Sequence, residues 1–406
     1  MNKSSGNWNI KLYINTLIFN VLFMPSFLQS QTMKTMLKLP DTGQSTSFTN
    51  TFGEDHDYTI NPPFYKNNGN GTITDTITGL MWQQGDSGEM SYENALIYVD
   101  SLTLGGFTDW RLPNTYEAYS ILIHQNANPA INTTFFTKTG AEYWWTADVQ
   151  VNDATRQWLT NGGGGIGNHK KSEALSAGGT KKIHVRAVRD RNIPINLTQR
   201  YLDNGNGTIT DNLTGLVWQK VPNTNALTWE DALNYAENLS LAGENNWRLP
   251  NIKELQTLAE VSLTNPCINT NFFLVSGAKK YWASTSLPNQ TTKAWYLDTQ
   301  FGITTYDLKT VPYYVICVSG GAQKTTNIAD IHTPNISIFP NPSFGTIHLQ
   351  SDIKIEQLEI FDLLGKMVLS KNNLENDTTI FMDKKGLYWM NIRFENQVIT
   401  KMIVIQ

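Results

Sequence analysis

Tyr201–Lys220, YLDNGNGTITDNLTGLVWQK, occurs twice in this chain, the earlier copy being Tyr65–Gln84, YKNNGNGTITDTITGLMWQQ. Between Asn68–Gln83 and Asn204–Gln219, 13 of 16 positions are identical at a constant offset of 136. Identity at that density marks the interior as a tandem duplication. In each copy two Asn-Gly dipeptides, which tolerate positive φ, lie between short Thr/Ile-rich runs, so each copy predicts a β-hairpin. The Thr-Gly-Leu-x-Trp that follows reads as a second strand leading into a core tryptophan.

Outward from the hairpins, each copy continues in the same order. The spacing of Ala95, Leu96, Val99 and Leu102 predicts a helix over Ser91–Leu102, and Thr228–Leu239 predicts its counterpart, with Ser91 and Thr228 as N-caps. WRLPN follows at Trp110–Asn114 and Trp247–Asn251, continuing as Asn-x-x-Glu to Glu117 and Glu254. That is a relative of the capping box and predicts second helices over Thr115–His124 and Ile252–Val261. Arg111 and Arg248 fall between Trp and Leu, where a buried guanidinium needs a carboxylate partner. The remainder of each copy reads as strands. YWWTA (Tyr143–Ala147) matches YWAST (Tyr281–Thr285), RQWLT (Arg156–Thr160) matches KAWYL (Lys293–Leu297), and KIHVRAV (Lys182–Val188) matches YYVICV (Tyr313–Val318). The first copy alone carries NGGGGIGNHKK (Asn161–Lys171). Its glycines do not make a phosphate loop, since position 168 is Asn where Lys is required, and the run reads as a flexible surface loop.

The ends differ from the middle. Residues 1–30 read as an export signal: Lys3 and Lys11 precede an apolar Leu12–Leu28, with Ser30 before Gln31. Residues 31–63 read as an extended lead-in packing on repeat 1. Its Glu54, Asp55 and Asp57 make either a solvated turn or a weak calcium site. Repeat 1 occupies 64–190, repeat 2 occupies 200–319, and a polar linker spans 320–334. Residues 335–406 alternate apolar and polar with frequent turns, as in a small β-sandwich. The fold class is therefore α+β, with an all-β tail. No second stretch is long and apolar enough to span a membrane in the mature chain. A net charge of −4 argues against nucleic acid as a partner, and 16% charged residues with twelve tryptophans suits an extracellular binding protein.

Cys267 and Cys317 align with Ala130 and Ala187 of the first copy. Two cysteines gained or lost together suggest a disulfide, the other reading being two small buried thiols.

The tail carries PNP at Pro340–Pro342, LEIFDLLGKMV, GLYWMNI (Gly386–Ile392) and a terminal TKMIVIQ with Lys401. It resembles the type A C-terminal sorting domain of type IX secretion, which implies export to the outer-membrane surface or beyond and the type IX machinery as a partner. DNGNGTITDNLTGLVWQ, NNWRLPN, NPCINTNFF, YWAST and VICV, with their first-copy counterparts and LPDTGQ at Leu39–Gln44, resemble the C-terminal domain of the Legionella collagen-like protein family. That resemblance implies two tandem C-type-lectin-like repeats, related to formylglycine-generating enzymes, each with two helices beside irregular antiparallel sheets. It also implies adhesion to glycans.

For function, residues 169–191 concentrate His169, Lys170, Lys171, Lys181, Lys182, His184, Arg186, Arg189 and Arg191. On a strand Lys182, His184 and Arg186 would share one face and could bind the anionic groups of an extracellular polysaccharide. Trp145, Trp158, Trp295 and Tyr296 would offer flat faces to sugar rings, or else form core. An enzyme is the weaker expectation: HExxH and GxSxG are absent from the sequence, and the two cysteines stand fifty apart and only in repeat 2. A passive part of a surface layer is a third reading.

Overall fold

Each Asn-Gly stretch closes a hairpin. The computed structural model describes residues 32–137, 143–173, 183–190, 195–320, 323–324, 336–352, 354–363, 365–394 and 398–406. Tyr65–Asn67 pairs with Thr72–Asp75, and Tyr201–Asp203 with Thr208–Asp211. Gly71 and Gly207 close the turns at φ of +82° and +89°, where a side chain would be strained. A third strand carrying buried Trp82 or Trp218 and a return strand, Val188–Asp190 or Val318–Ser319, complete a four-stranded sheet in each repeat.

Among the described residues, four α-helices form where the caps stand. α1 (Tyr92–Ser101) and α3 (Trp229–Glu237) start at Ser91 and Thr228. α2 (Thr115–Ser120) and α4 (Ile252–Thr257) start at Asn114 and Asn251, each with a complete capping box. The second pair is shorter than the sequence suggests. Ser120 and Thr257 return their hydroxyls to the carbonyls of Glu117 and Glu254 at 2.7 Å, a bond that competes with continuation. The capping glutamates do a second job: Glu117 and Glu254 each hold an arginine by a two-pronged pair, Arg111 at 2.7 and 2.8 Å and Arg248 at 2.6 and 2.7 Å.

The repeats are fused. Lys280–Ser286, Lys293–Asp298 and Ile303–Leu308 of repeat 2 continue through Ile166–Lys170, Arg156–Asn161, Tyr143–Val149 and Ile183–His184 of repeat 1 in one seven-stranded sheet. The join is Thr304 opposite Ile166. One core cluster takes Tyr119, Leu122, Trp158 and Ile166 from repeat 1 with Leu255, Leu258, Phe273 and Trp295 from repeat 2. From the first helix of each repeat through its strands in the long sheet, Tyr143–Val149 to Ile166–Lys170 and Lys280–Ser286 to Ile303–Leu308, equivalent elements differ by 137 in number, against 136 in the hairpins, which corrects the alignment of YWWTA with YWAST by one residue. Trp145 corresponds to Trp282: their Nε1 groups donate to the carbonyls of Met90 and Leu227.

The lead-in bonds to both repeats, where packing on repeat 1 alone was expected. Thr42 accepts from His124 N, while Gln44, Glu54 and Asp55 bond to Ser286 and Thr285 of repeat 2. Glu54 and Asp55 are therefore buried, neither a solvated turn nor an open cation site, and burial pushes Asp55 well above the usual carboxylate range. Asp57 is spent on the backbone N–H groups of Gly53 and Glu54. Among the described residues no His, Cys, Asp and Glu are gathered as a metal-binding set.

The disulfide is also overturned. Cys267 and Cys317 are free and buried, and they belong to different clusters. Cys267 lies in the inter-repeat core, its thiol pushed up by burial to about 12. Cys317 lies beneath α3 with Trp229 and Trp282. Ala130 and Ala187 fill the matching places in repeat 1, so the paired difference reflects two separate small core sites.

The lead-in and both repeats make one compact unit and the tail another. In the tail, a three-stranded sheet from Ile336–Phe339, Thr346–Ser351 and Asp377–Phe381 and a four-stranded sheet close over one core of Ile347, Leu349, Leu358, Ile360, Met390 and Ile403. It is the expected sandwich. Residues 1–31 and most of the 320–334 linker lie outside the described residues.

Candidate functional site

The described part of the basic run is for the most part buried or paired. His184 and Arg186 are 3% and 2% exposed, and Ile183, Val185 and Ala187 are buried too, so both sides of this segment are covered. Arg186 donates to the carbonyls of Gln84, Gly85 and Thr137 at 2.5–2.8 Å and stacks on Phe136. Burial lowers its guanidinium to about 10. Arg189 pairs with Asp109 through two bonds of 2.7 and 3.0 Å and lies over Phe107. His169 meets Glu173, and Lys171 sits over the Tyr92 ring. Lys170 is exposed, whereas Lys181, Lys182 and Arg191 lie outside the described residues. Trp145 and Trp158 are buried core, at 0% and 4% exposure. The alternation argument failed because it assumed a strand with one wet face.

A site appears instead where the two repeats join. A groove of about 390 Å³ runs along the seam of the seven-stranded sheet. Repeat 1 supplies Asn128, Tyr143, Asn161 and the glycine run. Repeat 2 supplies Asn289, Gln290, Trp295, Thr304, Thr305 and Tyr306. No lining side chain is charged. Buried Trp295 stands edge-on behind Tyr306 at 5.4 Å, and Tyr306 offers the exposed aromatic surface beside amides and hydroxyls. Asn128, Asn289 and Gln290 are exposed residues of this lining.

The glycines that read as a flexible loop make this junction possible. Gly164 is buried, and a Cβ there would come within 3.3 Å of Trp295, His124 and Ala130. A Cβ on Gly165 would come within 3.0 Å of the Thr304 carbonyl. Repeat 1 thus reaches Trp295 only with side chains omitted. His124 secures the run: Nε2 donates to the Gly164 carbonyl at 2.9 Å, and burial lowers the imidazole to about 3, so it is neutral at pH 7. The sequence signal was the glycine run being confined to one copy; nothing local showed that the other copy covers it.

The signature of the Lcl C-terminal domain matches residues 71–189 and 207–319, and that of the secretion system C-terminal sorting domain matches 337–406. No curated protein matches the chain. Among solved structures, PorZ, an essential bacterial surface component of the type-IX secretion system of Porphyromonas gingivalis, is similar at 9% identity with a TM-score of 0.17. The match covers 65% of this chain and 30% of that one, and a likeness this faint carries no argument.

Proposed function

The chain belongs to the Lcl C-terminal domain family, in two tandem copies ahead of a sorting domain, and from that we propose a non-enzymatic binding protein for extracellular polysaccharide. The sorting domain indicates type IX secretion to the cell surface or the extracellular space. The lectin-like arrangement implied by the sequence resemblance belongs to the same reading.

The observation that supports it is the seam groove. Sugar recognition needs hydroxyl-matching donors and acceptors beside flat apolar surface, and a groove of this size suits a few sugar units. Asn, Gln and Thr side chains with Tyr306, backed by buried Trp295, meet that need. The uncharged lining favours hydroxyl-rich chains over sulfated ones, a revision of the anionic ligand expected from the basic run.

A glycan array tests this. Neutral polysaccharides should bind, and Gln290→Ala with Tyr306→Ala should weaken binding at least tenfold while Lys170→Ala leaves it unchanged. Retention of sulfated glycans alone, lost with Lys170→Ala, would overturn the seam assignment.

A further inference from the structure

The duplication gives two equivalent clefts between the repeats: the lead-in fills one, while in the other its Thr35, Met36, Lys38 and Leu39 line the wall of a groove that the described residues leave open. In the filled cleft the lead-in is the occupant. Lys253 Nζ donates to the Asp41 carbonyl at 2.7 Å, Thr285 Oγ1 donates to Asp55 Oδ2 at 2.5 Å, and Arg248 lies over the Tyr58 ring. On the opposite wall, His124 N donates to the Thr42 carbonyl, and Gln125 accepts from the N–H groups of Ser45 and Thr46. Numbers lower by 137 give the repeat-1 counterparts of Arg248, Lys253 and Thr285, namely Arg111, Tyr116 and Asp148. Numbers higher by 137 give Val261 and Ser262 for His124 and Gln125. All five line a single open groove of about 490 Å³.

The open groove has the inverse chemistry. Where Lys253 offers protons to the lead-in, Tyr116 has already given its one proton to the Ala259 carbonyl at 2.7 Å. Where Thr285 donates to a carboxylate, Asp148 is itself a carboxylate, accepting Thr115 N at 2.6 Å on Oδ2. Asp190 and Glu260 are also in the lining, Asp190 paired with Arg111 and Glu260 3.9 Å from Arg200. Arg111 and Arg200 also line it, but their N–H groups are directed to Glu117 and Asp190, and to Asp211 and the Thr257 carbonyl. Lys38, on the lead-in, is exposed at the rim. Met36, Leu39, Leu213 and Val261 supply apolar floor.

We infer that the open groove docks an extended peptide segment of another protein, one that places a lysine or arginine where the lead-in places Asp55 in the filled cleft. The filled cleft shows that this architecture holds extended polypeptide through carbonyl, carboxylate and backbone contacts. The exchange of Thr285 for Asp148 sets the sign of the charge. Asp190 pairs with Arg111 and Glu260 lies 3.9 Å from Arg200, so Asp148 is the lining carboxylate that a basic side chain of the occupant would meet. This site is separate from the seam groove and stands or falls without it.

The probes are two fluorescent peptides of residues 37–57, one native and one with Asp55→Lys, titrated into the full chain by anisotropy. The Asp55→Lys peptide should bind at least tenfold more tightly than the native one, with affinity falling as salt rises. Asp148→Thr, which copies the side chain that already serves repeat 2, should reverse the preference while leaving the melting temperature near wild type. A second variant, Asp148→Asn, should abolish the preference. Absence of binding by either peptide at 1 mM, or a preference untouched by both substitutions, would overturn the proposal. So would self-association of the full chain that Asp148→Thr removes, because the occupant would then be a second copy.

Discussion

Lys253 of repeat 2 donates its ammonium to the carbonyl of Ser120 in repeat 1 at 2.7 Å. Tyr116, the residue equivalent to Lys253, donates in the other direction to Ala259 of repeat 2. Equivalent positions on α2 and α4 thus hold the repeats together reciprocally, with an ammonium on one side and a phenol on the other. Lys253 also holds the lead-in through Asp41, so removing it leaves two buried carbonyls without a donor. Lys253→Met should cost roughly 2–4 kcal/mol and Tyr116→Phe about 1 kcal/mol, read from urea unfolding. Equal costs would show that the two bonds do not differ as their partner counts require.

Asp75 and Asp211 occupy the same hairpin position, but only Asp211 has an arginine, Arg200, held by two bonds of 3.2 Å. Repeat 1 has Phe64 in place of that arginine, and burial pushes the Asp75 carboxyl above its ordinary value. A carboxyl raised on folding favours the native state below its unfolded pKa and loses that contribution as pH rises through its folded one. Asp75→Asn should therefore be neutral or stabilising at pH 7. Asp211→Asn strands a buried guanidinium and should cost roughly 3–5 kcal/mol. Matched losses in the two variants would refute the distinction.

His124 moves the other way. Its imidazole is lowered to about 3 by burial, with the nearby Lys253 charge adding to the effect. Its contribution is complete above an unfolded pKa of about 6.5 and is lost at about 1.4 kcal/mol per pH unit as pH falls toward 3. His124→Gln should flatten the decline between pH 6 and 4 in a stability–pH profile. An unchanged slope would remove His124 from the acid response.

Arg186 was expected to touch ligand and instead joins Gln84, Gly85 and Thr137 through their carbonyls. Arg186→Ala should lower the unfolding midpoint by the equivalent of roughly 3 kcal/mol or more while the folded fraction keeps its polysaccharide affinity. Loss of affinity with stability intact would restore the original assignment.

Much of the local structure was legible because it rests on short-range chemistry. Asn-Gly turns, Ser91 and Thr228 caps, and the Asn-x-x-Glu boxes are set by neighbours within four residues. The pairing of Arg111 and Arg248 with carboxylates was also legible, though not that the capping glutamates would be those carboxylates. Long-range facts were not. Whether His184 faces water depends on what covers a two-residue strand, and whether Asp55 is solvated depends on Thr285, 230 positions away. The glycine run shows the same limit, since its meaning comes from Trp295 in the other copy. The cysteines misled because covariation of two sites was taken for contact between them.

The central claim is that the two copies form one body and do not fold as independent modules. Hydrogen exchange of the full chain in low urea, followed by mass spectrometry on peptides covering α2 and α4, tests it most directly. Both helices should open with the same free energy, and Lys253→Met should lower that free energy equally in both. A weakened α4 beside an α2 that exchanges as in the wild type would mean the repeats unfold separately, and the seam groove would lose its physical basis.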